Sequence, residues 1–423
     1  MSGLILNKLC IHGGRQLHGS VSVSGSKNAA LPILSACLLS GGEKHISNVP
    51  NLKDVETLMR LLKAMGVKIS QTGASTYCIS AKKLSSYTAP YNLVKKMRAS
   101  ILVLGPLLAR FGSAIVSFPG GCAIGNRSVD MHLTGLQAMG AQIIIEHGYI
   151  KAESEGRLKG TEIYHDTVSV GATENLMMAA VLADGKTVIN NAAREPEITD
   201  LGKCLIKWGA KITGLGSSKI EIEGVEKLLG GTFKVMPDRI EAATYMAAIA
   251  SVGGKVTLFN ANINHLSAVI AKLKESGLNF FLKEDCIEIE MSNEQPKAVD
   301  IKTAPYPGFP TDMQAPFTVI NALAKGTSVI EETIFENRLM HVPELRRMGA
   351  NISVKDNIAR IDGRAELFGA EVTASDLRAS AALIIAGLAA KGETIISGLE
   401  HVERGYEDIQ DKFKQLGAEI TSG

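Results

Sequence analysis

Six stretches of the chain are apolar nearly all round a helical wheel: NAALPILSACLLSGG, MRASILVLGPLLARFG, ATENLMMAAVLADG, IEAATYMAAIASVGG, TDMQAPFTVINALAKG and SDLRASAALIIAGLAAKG. A helix with no polar face must be buried on every side. Alanine, serine and glycine let such helices pack closely. Behind each comes a short β-like run: KHISNV, AIVSF, KTVINN, KVTLFN, TSVIEE and ETIISG. An amphipathic helix follows and closes in a recurring phrase, LKAMGVKI, LQAMGAQI, LIKWGAKI, LKESGLNF, LRRMGANI and FKQLGAEI. Its glycines are Gly66, Gly140, Gly209, Gly277, Gly349 and Gly417, at intervals of 74, 69, 68, 72 and 68 residues. Glycine at that point predicts a left-handed residue that stops a helix. Strands such as IEIEGV and CIEIEM come next.

Each unit of about 70 residues therefore reads as strand, inner helix, strand, outer helix and strand pair. The chain is α/β in class, with six βαβαββ-type repeats. The apolar helices belong inside and the sheets outside. Three repeats per domain would give two similar domains, with a ligand in the cleft between them. One extended solenoid is the alternative. Helices this apolar favour two closed domains, although periodicity alone does not fix the split.

Composition narrows the function. Among 423 residues, 45% are hydrophobic, 21% are charged and 5% are aromatic, with 42 glycines and a net charge of +2. That balance gives no global case for nucleic acid or an anionic membrane as partner. An anionic ligand would need positive charge gathered locally. The six cysteines form no CxxC pair, so zinc and redox motifs are not indicated and no metal is expected. The first residues hold no apolar run of signal length, and Ser380–Ala390 is too short to span a bilayer. Free thiols in a reducing cytoplasm are the expectation.

The starts of the inner helices carry polar groups: Lys27 and Asn28, Arg98, Gly171–Thr173, Asp238 and Arg239, Thr311 and Asp312, Asp376 and Arg378. Capping accounts for Ser26, Thr311, Ser375 and the aspartates. It does not account for Lys27, Arg98 or Arg378, since cations are disfavoured at a helix N-terminus. A bound anion there would be held by backbone N–H groups, the helix dipole and the cation together. One loop also stands out. PGGCAIGNRSVD (119–130) places Cys122 among glycines, five residues before Arg127.

The stretches SGSKNAALPIL (24–34), MRASI (97–101), FPGGCAIGNRSVDMH (118–132), VSVGAT (168–173), NAAREPEI (191–198), FPTDMQAPF (309–317), FENRLMHVPEL (335–345), SDLRAS (375–380) and HVERGYEDI (401–409) together closely resemble the UDP-N-acetylglucosamine 1-carboxyvinyltransferase family of enolpyruvyl transferases. The resemblance covers essentially the whole chain. It implies a two-domain inside-out α/β barrel with three repeats per domain. One domain would be residues 28–236, carrying the cysteine loop; the other would be 1–27 plus 237–423, with the active site between them. The implied reaction moves enolpyruvyl from phosphoenolpyruvate to the 3'-hydroxyl of UDP-N-acetylglucosamine and releases phosphate, the first committed step of peptidoglycan synthesis. It needs neither metal nor organic cofactor.

The resemblance also implies roles. Cys122 would donate a proton to phosphoenolpyruvate and could form an adduct with it. A thiol whose ordinary pKa is about 8.5 stays protonated at neutral pH yet is reactive as thiolate. The glycines before it predict a lid that delivers the thiol on closure. Asp312 would be the base for the 3'-hydroxyl. Lys27, Arg127 and Arg404 would hold phosphate and carboxylate. Asn28, Arg98, Arg127, Ser128, Val129, Asp130, Met131, Thr167, Val168, Ser169, Val170 and Ile334 fall where the family binds its nucleotide sugar. Asp376 and Arg378 would support the closed site, with Arg338 and His401 as weaker candidates. The remaining cysteines are expected to be packing residues. One departure stands out: the family usually has lysine where this chain has Thr167, and threonine cannot supply that charge. The rival readings are an enolpyruvyl transferase acting on shikimate 3-phosphate, which lacks this cysteine loop, and a silent sensor of nucleotide sugar. A sensor has no need to keep the acid and the base together.

Overall fold

All six repeat glycines have positive φ, from 91° at Gly417 to 110° at Gly277, and each stands between an outer helix and the strand after it. This is the left-handed stop that the spacing predicts. The computed structural model describes residues 8–95, 97–119, 129–292 and 295–423. One repeat shows the plan. Strand Glu162–Tyr164 leads to inner helix Val170–Ala180, strand Lys186–Asn190, outer helix Pro196–Lys207, and strands Lys211–Thr213 and Lys219–Glu223. The first two strands pair in parallel; Lys219–Glu223 then pairs antiparallel with Lys186–Asn190 and with Lys211–Thr213.

Six such four-stranded sheets form, three in each of two compact units. One unit comprises 8–24, 237–292 and 295–423; the other comprises 25–95, 97–119 and 129–236. The N-terminal strands complete sheets of the first unit. Lys8–His12 lies between Glu393–Ser397 and Glu419–Ser422, and Leu17–Ser22 runs parallel to Gly254–Phe259. In the second unit Gly231–Lys234 returns to pair in parallel with Lys44–Ser47. Sheets closed by strands from the opposite end of a segment tie the repeats into a ring rather than an open array.

Each unit has its own apolar core. In one, inner helices Arg239–Val252, Gln314–Leu323 and Leu377–Ala389 pack against one another, and nearly all their residues are buried. Close approach depends on small residues. In the other unit a Cβ on Gly105 would come within 2.4 Å of the Asn175 carbonyl oxygen, so any side chain there would push two helices apart.

Two inner helices depart from the pattern. Arg98–Val103 and Thr311–Met313 are 3-10 turns that precede the α-helices Leu104–Phe111 and Gln314–Leu323. Pro106 and Pro316 stand at the third α-helical position, where the ring constrains the residue before it and the missing N–H has no intrahelical partner to lose. The tighter turn places Arg98 and Asp312 at the very start of otherwise buried segments. No described helix is long and apolar enough to cross a membrane.

Candidate active site

In the unit that contains 237–423, the capping of one helix sets up the charge of the site. Asp376 Oδ1 accepts from the N–H groups of Arg378 (2.9 Å) and Ala379 (3.1 Å), which starts helix Leu377–Ala389. Arg378 is thereby fixed in the first turn, and its Nη2 donates to Asp312 Oδ2 at 2.8 Å. Arg338 Nη2 donates to the other oxygen, Oδ1, at 2.7 Å. Both arginine side chains are 5% exposed, while that of Asp312 is 25% exposed. Burial would raise the Asp312 pKa. The charges of Arg378 and then Arg338, with their hydrogen bonds, outweigh it and hold the carboxyl far below the usual carboxylate range.

The surroundings keep the clamp rigid. The Arg378 guanidinium lies 5.2 Å from the Tyr406 ring centre, and the Tyr406 hydroxyl is 2.9 Å from Thr244 Oγ1. Among the described residues, Arg378 Nε and Nη1 are buried and have no standard hydrogen-bond partner. Buried Glu332 accepts from Thr303 Oγ1 (3.0 Å), Thr311 Oγ1 (2.8 Å), Ile334 N (2.8 Å) and Phe335 N (3.1 Å), which pins the segment next to Asp312. His341 is pushed down to about 4 by burial first, with Asp376 opposing and Arg338 adding, so it is neutral at pH 7. Two guanidiniums are thus held on one carboxylate, an arrangement whose planar N–H donors could also take an anion.

The other unit holds a second polar cluster. Ser26 caps helix Lys27–Ala36, its Oγ accepting from Ala29 N at 3.4 Å. Lys27 Nζ, largely buried, is 3.3 Å from Asp54 Oδ2. Gly105 N donates to Asn175 Oδ1 at 2.7 Å, which fixes the orientation of that buried amide. Asn175 Nδ2 then faces His132 Nδ1 at 3.0 Å. With an amide N–H on Nδ1, the His132 proton belongs on Nε2. Burial, and then the positive charge of Arg98 and His165, pushes His132 down to about 4. A neutral imidazole offering an N–H donor beside a half-buried arginine suits a polar, anionic ligand. Helix Asp130–Ala138 starts here, and Thr167 Oγ1 is 3.8 Å from Met131 Sδ.

The family model described as EPSP synthase (3-phosphoshikimate 1-carboxyvinyltransferase) matches residues 11–413. The UDP-N-acetylglucosamine 1-carboxyvinyltransferases of Shewanella sp. (strain MR-7) and Shewanella pealeana are each 56% identical over 415 residues, 98% of this chain and 99% of theirs. The chain belongs to the UDP-N-acetylglucosamine 1-carboxyvinyltransferase family. The enolpyruvyl transferase NikO from Streptomyces tendae has a similar structure, with TM-score 0.89, 25% identity and 98% of each chain covered. EPSP synthase from Acinetobacter baumannii shares the fold, with TM-score 0.77 and 20% identity over 98% of this chain and 100% of its own. The two-domain inside-out α/β fold is thus common to all of them. Both polar clusters lie within the stretch matched by the family model.

Not every residue expected from the family resemblance is in a described position. Cys122, Arg127 and Ser128 lie outside the described residues. Asp312, Asp376, Arg378 and Arg338 come together in one unit; Lys27, Asn28, Arg98, Val129, Asp130, Met131, Thr167, Val168, Ser169 and Val170 belong to the other. Ser169 is a cap, accepting from Ala172 N at 3.3 Å. Ile334 gives its N–H to Glu332. Arg404 closes the 3-10 turn Leu399–Arg404, which packs on the helix that carries Arg378.

Three expectations for this UDP-N-acetylglucosamine 1-carboxyvinyltransferase family member need correction. Thr311 and Asp312 do not cap their helix: one donates to Glu332 and the other is taken by arginines. Asp376, not Ser375, caps Leu377–Ala389. Cys37 and Cys204 are buried packing residues, but Cys10, Cys78 and Cys286 are partly exposed. His132 and Glu332 escaped the sequence reading. His132 ends a quoted motif, yet nothing along the chain shows that Asn175 will orient it.

Proposed function

We propose that this chain transfers the enolpyruvyl group of phosphoenolpyruvate to the 3'-hydroxyl of UDP-N-acetylglucosamine and releases phosphate. The observation that carries this reading is 56% identity over 98% of the chain to relatives bearing that name. In the addition step, Cys122 gives a proton to the methylene carbon while the 3'-oxygen bonds to the neighbouring carbon. Asp312 takes the hydroxyl proton. The Cys122 thiolate then takes a proton back from the methyl carbon as the C–O bond to phosphate breaks, which restores the double bond. Lys27, Arg127 and Arg404 hold the phosphate and carboxylate, and Arg98, His132 and residues 129–131 and 167–170 face the nucleotide sugar. Cytoplasm is the proposed compartment, and the free thiols at Cys10, Cys37, Cys78, Cys204 and Cys286 fit a reducing one.

The clamp sets a condition on Asp312. A general base works best with a pKa near the operating pH. Held by both guanidiniums, Asp312 is a poor one. We therefore place proton transfer after one arginine has turned towards a substrate anion, which its unused donors allow. Phosphate release from phosphoenolpyruvate, measured with UDP-N-acetylglucosamine, with shikimate 3-phosphate and with neither, tests the assignment. Release only with the nucleotide sugar is expected. Release with shikimate 3-phosphate, or none with either acceptor, would overturn it.

A further inference from the structure

The outer face of one sheet carries a group of side chains that the reaction does not use. Strands Lys44–Ser47 and Thr76–Ser80 pair antiparallel, with His45 directly opposite Cys78. Successive residues of a strand face opposite sides. Lys44 and Ile46 are buried, so His45 points outward, and Glu43, two residues earlier, points the same way. A carboxylate oxygen of Glu43, a ring nitrogen of His45 and Cys78 Sγ all lie within 4.8 Å of one another. Glu43 and His45 are exposed and Cys78 is half-exposed. None of the three side chains has a hydrogen bond or ion pair to another described residue. The hydroxyl residues Thr232 and Ser70 flank the group across the ladder, opposite His45 and Cys78 respectively.

We propose that Glu43, His45 and Cys78 form a binding site for a zinc-class divalent cation on this outer sheet face. The donor set is one oxygen, one nitrogen and one sulfur, which suits a borderline-soft ion better than magnesium or calcium. Zinc bonds of about 2.0–2.3 Å place tetrahedral ligands about 3.3–3.7 Å apart. The three groups need only modest side-chain rotation to close on an ion, and two of them are exposed and free to rotate. The fourth position would be open to solvent and take water. Binding requires the thiolate and neutral imidazole, so each ion displaces the Cys78 proton to solvent. The sequence hides this site because Cys78 is 33 residues from His45; strand register assembles it, not spacing.

The test titrates cobalt(II) into the metal-free full-length chain, in a Cys122→Ser background so that this thiol cannot bind the probe. One equivalent per chain should give a near-ultraviolet sulfur-to-cobalt charge-transfer band and release about one proton. One equivalent of zinc(II) should abolish the band. Cys78→Ser should remove it. His45→Gln and Glu43→Gln, both on the exposed face, should keep the fold by circular dichroism and weaken cobalt binding about tenfold or more. If Cys78→Ser fails to fold, these two variants decide the matter. Absence of a thiolate band, a band that survives Cys78→Ser, or unchanged affinity in both glutamine variants would overturn the proposal.

Discussion

Two aspartates, one in each unit, show opposite responses to burial. Asp312 takes a guanidinium on each oxygen and stays ionised far below the usual range. Asp200 accepts one backbone N–H, from Met236 at 3.1 Å, and burial lifts it to about 6. Lys203 opposes the rise and Glu197 adds to it. Glu174, in the same unit, is likewise raised well above the ordinary value by burial, then by Glu197 and Glu195. One cation is not always enough to reverse this. Glu241 is raised by burial although Lys412 Nζ is 2.5 Å away. Two fixed arginines do reverse it. Cations spent so heavily on one carboxylate mark a place where charge serves something besides stability, because a buried ion pair is weak evidence of net stabilisation.

The largest effect should come from breaking the clamp. Asp312→Asn keeps the shape and removes the charge and the base. Turnover should fall about 10²–10⁴-fold, with nucleotide-sugar affinity changed much less. If turnover survives, Asp312 is a structural counter-ion only. Arg338→Met is the sharper companion. It leaves Asp312 with one guanidinium, so the carboxyl pKa should rise and the acid limb of the pH–rate profile should move to higher pH. An unmoved limb would separate that limb from Asp312.

Lys44 makes the contrast with the opposite sign of charge. It is fully buried, donates to the Cys37 carbonyl at 3.0 Å and to that of Ser40, and no carboxylate partners it among the described residues. Burial first, with Arg110 adding and Cys37 opposing, lowers it to about 8 from 10.5. Below pH 8 both folded and unfolded chains hold the proton, and the penalty is constant. Between 8 and 10.5 the unfolded chain holds a proton that the folded one has released, so stability rises with pH. The full rise is about 3 kcal/mol. Lys44→Met should flatten it, as read from urea midpoints at pH 7, 8, 9 and 10. A wild-type curve no steeper than the variant's would show that Lys44 does not titrate in this range.

These contrasts mark how far the sequence could be read. The repeat, the six left-handed glycines and the buried helices were legible because periodicity and glycine chemistry are local. Lys27, Arg98 and Arg378 were legible as cations at helix starts, where the dipole argues against them. The pairing was not. Arg338 lies 26 residues from Asp312, and Arg378 lies 66. Arg338 reaches Asp312 from a turn later in the same repeat, and Arg378 from an inner helix of the next, so only the folded packing brings them together. The same holds for the Asn175 amide that sets the His132 tautomer, and for His45 opposite Cys78. Lys44 was invisible for another reason. In KHISNV it reads as an outward strand residue, yet it faces inward under Trp208, 5.9 Å from the ring centre.

Asp200 gives the smallest and cleanest test. Its folded pKa lies above the unfolded value of 3.8, so its contribution is fully present below about pH 4 and is lost as pH rises through 6. By pH 7 it should cost about 1–3 kcal/mol, less than the full shift would give because the side chain is half-buried and partly screened. Asp200→Asn keeps an oxygen for the Met236 N–H and removes the charge. The variant should therefore be more stable than wild type at pH 7 and indistinguishable at pH 4, by thermal or urea midpoints. Equal stability at pH 7 would mean that Lys203 and the Met236 N–H compensate the carboxylate after all. An equal gain at both pH values would place the benefit in packing rather than charge, and the contrast with Asp312 would lose its electrostatic basis.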